Sequence, residues 1–197
     1  MLRITDIVKH LAIINVLMLI LMKTPVAEHL PNLALYFFKD SRFEPYQIVS
    51  HMFMHADERH LIMNMIGLLF FGPTVERFVG PKNFFILYFS CGLGAVALRT
   101  IMQTMEIASQ GPAVGASGAV MGVLAAFAAL FPKEKIYLLF FPFPIKALYL
   151  ILAYVGYELF RGFSSIESNT AHFAHLGGIL VGFAMAWFWF KKYNFRR

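Results

Sequence analysis

Charge is what this chain has least of. Asp, Glu, Lys and Arg together make up 14% of its 197 residues, where a soluble domain carries about a quarter. So few charges leave a surface of this size without a polar shell, and 59% of the residues are hydrophobic. With a mean hydropathy of +0.65, the composition excludes an ordinary soluble globular protein and implies one embedded in a bilayer. Cysteine is nearly absent too. Cys91 stands alone inside an apolar run, which excludes an intrachain disulfide framework. No HExxH occurs, so the common helical zinc-protease signature is missing. Internal repeats, low-complexity tracts and a separate soluble region are also lacking, and the reading expects one domain over 1–197.

What is present begins with basic residues. The net charge of +6 would suggest nucleic acid in a soluble protein. Here the basic residues mark the ends of apolar runs, as do Lys133, Lys135, Lys191, Lys192, Arg196 and Arg197. That placement is a topology signal and gives no reason to expect nucleic acid as a partner.

A membrane-spanning helix needs about 20 mostly apolar residues. Six candidates satisfy this, over 8–26, 55–72, 83–102, 113–131, 145–161 and 172–190. The expected fold class is therefore all-α, a six-helix polytopic bundle. The first candidate reads as a retained span, because TPVAEH puts a proline and a glutamate around its one possible cleavage site. With both termini on one side, that side collects eleven Lys and Arg and the other six. The excess predicts cytoplasmic termini. The segment 27–52 interleaves Tyr36, Phe37, Phe38, Phe43 and Tyr46 with Lys39, Asp40 and Arg42, which suits an interfacial outer loop.

Polar groups at membrane depth are expensive and invite a functional reading. They are His60 and Asn64 on the second span, Ser117 on the fourth, and His172 and His175 on the sixth, with His51 and His55 just outside. Alone, each has a plainer explanation. A serine in an apolar helix ordinarily returns its hydroxyl to the carbonyl one turn back, here that of Ala113. An asparagine serves as interhelical glue, and a histidine near a helix end as an anchor. The topology changes the odds. The second, fourth and sixth spans run in one sense and place Ser117, His175, His60 and Asn64 at a common level, roughly 5–8 Å below the outer surface at 1.5 Å per residue. Gly115, Gly118 and Gly122 surround the serine, and Gly178 and Gly182 share the helix face of His175. Small residues spaced by four let helices approach closely, so Ser117 and His175 could meet.

These residues resemble the rhomboid intramembrane serine proteases. GASG at 115–118 is similar to the family's G-x-S-G, HADERHLIMN at 55–64 to its H-x₄-H-x₃-N, and AHLGGILVG at 174–182 to its A-H-x-x-G-x-x-x-G. EPYQIVSHMFMH, VERFVG and FPFPIK also resemble family segments, in the order of the compact bacterial GlpG-type six-helix form. The resemblance implies Ser117 as nucleophile and His175 as its general base. It implies His60, Asn64 and the backbone N–H of Ser117 as oxyanion donors, with no cofactor and no metal. His172 is the second choice of base, since only His175 carries the spaced glycines. A departure stands at Met121, where the GlpG-type pattern often has an aromatic against the base. All eleven acidic residues read as loop or helix-end groups, so a Ser–His dyad is expected in place of a triad. The implied substrates are membrane proteins with easily unwound helices and small residues at the cut, reached past the fifth span and a 161–171 lid. The implied setting is a bacterial inner membrane.

Three other readings compete. A pseudoenzyme would be expected to lose the serine or histidine, and both are present. A histidine-rich metal transporter or metalloenzyme would need an acidic ligand at histidine depth. A purely structural bundle leaves the shared depths unexplained.

Overall fold

In a computed structural model, residues 4–137, 143–164 and 170–194 are described. The described residues are mostly helical, with long helices α1 (Asp6–Leu21), α3 (Glu58–Val79), α4 (Pro81–Thr104), α5 (Ser117–Leu130), α6 (Ala147–Ser164) and α7 (Thr170–Asn194). A short α2 (Gln47–Ser50) lies in the segment between α1 and α3, and a two-residue antiparallel pair, Lys135–Ile136 with Ile145–Lys146, precedes α6. Among the described residues three helices, α3, α4 and Thr170–Trp189 of α7, are individually long and apolar enough to cross a membrane. This is an all-α polytopic membrane protein. Large apolar side chains such as Leu17, Phe70, Leu152, Phe160 and Leu180 face outward, as a lipid-facing perimeter requires.

Local signals fix the helix ends. Asp57 caps α3 by accepting from the backbone N–H of His60 at 2.7 Å. Gly80, at φ 84°, ends α3, and Pro81 opens α4 one residue later, the usual asymmetry of glycine after a helix and proline at the start. Buried Glu76 of α3 reaches the start of α1. It accepts from Thr5 Oγ1 at 2.5 Å and from the N–H groups of Ile7 and Val8 at 3.2 and 3.0 Å. A carboxylate thereby satisfies donors that α1 leaves open at its positive end.

The centre of the bundle is α5. Ten of its 14 residues are buried, the pattern of a helix surrounded by others. Its closest neighbours are α7 and α4, and small residues make that possible. A Cβ on Gly178 would overlap the carbonyl of Gly118, one on Gly182 that of Gly122, and one on Gly177 that of Gly94. Both helix pairs thus meet backbone to backbone; the glycine spacing predicts this for α5 with α7, and the contact of α4 with α7 adds to it.

The fourth span differs from its expected 113–131. Residues 113–116 are not helical, and α5 begins at Ser117 itself. At 1.5 Å per residue its 14 residues reach only about 21 Å, less than a bilayer's hydrocarbon thickness of about 30 Å. The segment before it therefore descends into the bundle. That segment is held by a bridge between Leu35 and Ala113, by Gly115 N–H donating to the carbonyl of His51 at 2.9 Å, and by Arg99. The Arg99 guanidinium, 1% exposed, donates to the Gly111 carbonyl at 2.5 Å. Gly115 has φ 120°, and a side chain there would strike the ring of His60, so only glycine is free of strain.

The α1–α3 segment is folded against the residues before α5. Gln47 is fully buried and donates to the carbonyls of Asn32 and Arg42, both at 3.0 Å. Arg42 pairs with Asp40 and lies 4.2 Å over the ring of Tyr36. Hydrogen bonds from Arg42 hold the Asp40 carboxyl down at about 2. Burial pushes both His51 and His55 down to about 4.

Two expectations follow. Gly178→Val and Gly182→Val should each destabilise the bundle by about 1–3 kcal/mol or more through overpacking. Gly156→Ala, on an open face of α6, should be neutral or stabilising by up to about 1 kcal/mol. Denaturation midpoints in detergent micelles give the comparison. The second concerns acid. His51 and His55 are depressed from an ordinary 6.5 to about 4, so the unfolded chain binds their protons first as pH falls. Stability should hold above pH 6.5 and decline between 6.5 and 4, and His55→Phe should flatten that decline in thermal unfolding.

Candidate active site

The hydroxyl of Ser117 does not return to the carbonyl of Ala113. Its Oγ lies 2.8 Å from Nε2 of His175, across the glycine contact of α5 and α7. Ser117 is the first residue of α5, and Ala116 before it supplies no side-chain cap. His175 is one and a half turns into α7 and His60 is the third residue of α3. The depths expected from position within each span were therefore inexact. The late start of α5 sets Ser117 opposite His175 across the α5–α7 contact.

His60 faces the serine across Gly115, with its ring edge-on to that of His55 at 5.0 Å between centroids. Both His60 and Ser117 line a cavity of about 340 Å³, together with His51, Arg99, Gly115 and Ala174. Asn64, 4% exposed, sits one turn further in, and its amide donates to the carbonyl of His60 at 2.9 Å. It is not among the residues lining the cavity. The structure thus brings Ser117 and His60 around one space, with His175 reaching it through its contact with Ser117, and places Asn64 behind His60. Gly115, Gly118, Gly178 and Gly182 make the close approaches on which this arrangement rests. Met121 packs at the edge of the buried core.

One acidic residue corrects the sequence reading. Glu158 is neither in a loop nor at an exposed helix end. It is 1% exposed on α6 and directed at α7. Its Oε1 is 3.2 Å from Nδ1 of His175, and its Oε2 is 2.6 Å from Nδ1 of His172. Tyr154, one turn earlier on α6, puts its hydroxyl 3.4 Å from the same Nδ1 of His175. An acid therefore does share the depth of the histidines. The expectation that none fits beside the serine and histidine is overturned, because α6 carries its last turns alongside the first turns of α7. The signal was available as a glutamate within the apolar run IKALYLILAYVGYELFR. The potential ligand atoms of Glu158, His172 and His175 lie within 4.8 Å of one another, a donor set that zinc also accepts. The nitrogen involved on His175 is Nδ1, opposite the one that meets Ser117.

Chemically, the arrangement can activate an alcohol. A ring nitrogen in hydrogen-bond reach of a hydroxyl is the geometry in which a base takes the proton of an attacking oxygen. The hydroxyl also sits at the start of a helix, where unpaired N–H groups favour developing negative charge.

Residues 42–192 match the rhomboid domain. The chain is 35% identical over 151 residues to rhomboid protein 1, mitochondrial, of Saccharomyces cerevisiae, covering 76% of this chain and 43% of that protein. It is 33% identical over 172 residues to RHOMBOID-like protein 12, mitochondrial, of Arabidopsis thaliana, covering 81% and 50%. It is 28% identical over 156 residues to rhomboid-like protease 3 of Toxoplasma gondii, covering 77% and 54%. The chain spans about half the length of the curated relatives it matches. Over most of its own length, the chain belongs to the rhomboid family.

Proposed function

We propose that this protein is an intramembrane serine endopeptidase that cuts transmembrane or juxtamembrane segments of other membrane proteins near the outer face. The observation that carries the proposal is the 2.8 Å contact between Ser117 Oγ and His175 Nε2 beside a cavity inside an apolar bundle. Family membership supports it, as does the protease in the name of the Toxoplasma relative.

In this reading Ser117 Oγ attacks the carbonyl carbon of the scissile bond, and its proton passes to His175 Nε2. The oxyanion is met by the backbone N–H of Ser117 and the side chain of His60, with Asn64 behind it. The C–N bond breaks as His175 returns the proton to the leaving amine. Water then enters the cavity and attacks the acyl carbon as its proton passes to His175, and the ester bond to Ser117 breaks as His175 returns that proton to Ser117 Oγ. Substrate segments enter sideways along α6, which packs on α7 and α5 without an extensive contact to α3. The expected 161–171 lid includes 165–169, which lie outside the described residues. Substrates with small residues at the cut and helices that unwind easily fit this entry.

Both termini are assigned to the cytoplasmic or equivalent side on the excess of basic residues there. The relatives reported above are eukaryotic and two are named mitochondrial, which removes the ground for specifying a bacterial inner membrane. The proposal specifies an integral membrane setting only.

Reconstituted native protein should cleave a reporter transmembrane substrate with or without a metal chelator. Ser117→Ala and His175→Ala should each lower cleavage by at least roughly 10³-fold, and a fluorophosphonate should label Ser117 in the native protein. Cleavage that survives Ser117→Ala would sink the mechanism, and cleavage abolished by chelator would favour a metal centre on Glu158, His172 and His175.

A further inference from the structure

The sequence supplies a nucleophile and a base, and the structure adds a carboxylate that neither role uses. Glu158 is 1% exposed, and an ionisable side chain at such a position is retained only when its oxygens are satisfied. Both are. Oε1 faces Nδ1 of His175 at 3.2 Å and Oε2 faces Nδ1 of His172 at 2.6 Å. The two imidazoles stand edge to face, 6.5 Å apart between centroids, at 87°. Tyr157 lies edge-on to His172 at 6.2 Å, and Tyr154 closes the near side of His175.

We propose that Glu158 is the positioning residue of the active site. It accepts a hydrogen bond from Nδ1–H of His175, so that Nε2 is the unprotonated nitrogen presented to Ser117, while His172 locks the second carboxylate oxygen. This rests on the protease reading above and turns the expected dyad into a Ser117–His175–Glu158 array with His172 at its end.

The argument is one of tautomers. A neutral imidazole carries one proton, and which nitrogen holds it is set by the partner of the other. A carboxylate can only accept, so both histidines must donate to it through Nδ1. His175 is then a base at Nε2, 2.8 Å from the serine hydroxyl. When Nε2 takes the serine proton, the ring becomes a cation in an apolar bundle, and the adjacent carboxylate offsets that charge without moving. The proton stays on Nε2 until the leaving amine takes it, and Glu158 remains ionised throughout. His172 has a bond to Glu158 but none to Ser117 among the described contacts. That explains why a second histidine stands one turn before the base without serving as one.

The groups facing this array are few. They are Tyr154 and Tyr157 from α6, His172 from α7, Ser117 from α5 and His60 from α3. No Lys or Arg pairs with Glu158 among the described residues.

Three variants test the proposal in the full chain, Glu158→Gln, Glu158→Asp and His172→Asn. Steady-state cleavage of the reporter in vesicles, thermal unfolding, and ¹⁵N NMR of histidine-labelled protein in micelles are the readouts. Glu158→Gln, which keeps shape and loses charge, should lower kcat roughly 10²–10⁴-fold with KM within about twofold. Its His175 nitrogen shifts should move away from the pure Nδ1–H form. Glu158→Asp should recover part of kcat, and His172→Asn should cost less than Glu158→Gln. Activity of Glu158→Gln within about threefold of native, or a lower kcat that follows a lower Tm with an unchanged His175 tautomer, overturns the proposal. If the native chain neither cleaves nor reacts with a fluorophosphonate, the protease reading fails. The tautomer comparison then decides the Glu158 assignment by itself.

Discussion

The glycine contact between α5 and α7 is the constraint on which the rest depends. Two apolar helices in a bilayer gain nothing by hiding from lipid, so their attraction is van der Waals contact at short range. Removing every Cβ along one seam is the means to that range, and Gly118, Gly122, Gly178 and Gly182 do so in register. The Ser117 and His175 side chains then meet beside the top of that seam at 2.8 Å. A methyl group anywhere along it would open the helices, and the hydrogen bond would lengthen before any chemistry changed. Packing and reactivity are thus one requirement in this bundle.

Depth is the second requirement, and it is met by shortening. A helix of full span would put its first residue at the water interface. By starting α5 late, the chain places Ser117 below it. The residues before Ser117 must then carry unpaired backbone into an apolar region, which costs several kcal/mol per unsatisfied group. The bridge of Leu35 with Ala113, the bond from Gly115 to His51, and Arg99 on the Gly111 carbonyl supply those partners. The folded segment between α1 and α3 provides two of the three. Its aromatic and charged pattern, read in the sequence as an interfacial loop, also lets it act as a brace for the descending segment.

The sequence made the bundle legible because long apolar runs and glycine spacing act locally. It made Ser117, His175 and His60 stand out because polar residues among apolar ones are conspicuous. The start of α5 was misplaced by four residues, since AVGASGAV is apolar whether helical or extended, and the bend depends on the +120° φ of Gly115 and on partners far away in sequence. Glu158 was passed over for a different reason. Near Arg161 and the end of its run, it reads as a solvated terminus. Only the alignment of α6 with the first turns of α7 shows that the carboxylate turns inward. Asn64 was visible as a polar group at depth, but its engagement with the His60 carbonyl is a backbone contact that no residue pattern specifies.

A buried carboxylate beside two imidazoles carries an argument about cost. Moving an ionised carboxylate out of water costs several kcal/mol even after relaxation, and a membrane bundle has no other solvent to offer. Replacing Glu158 with an apolar residue of similar size would be the cheaper way to fill the space, because buried ion pairs are frequently neutral or worse than their hydrophobic replacements. If the stability of the fold were the sole demand, His172 and Glu158 would be a poor solution to it. Their arrangement becomes economical on the proposed reading, in which His175 is held in one tautomer and accepts a proton without reorganising its surroundings. A bilayer offers little mobile water for either task, so both fall to fixed groups. On the proposed reading the carboxylate with its second histidine is a fixed group of that kind, placed at the His175 nitrogen that faces away from Ser117.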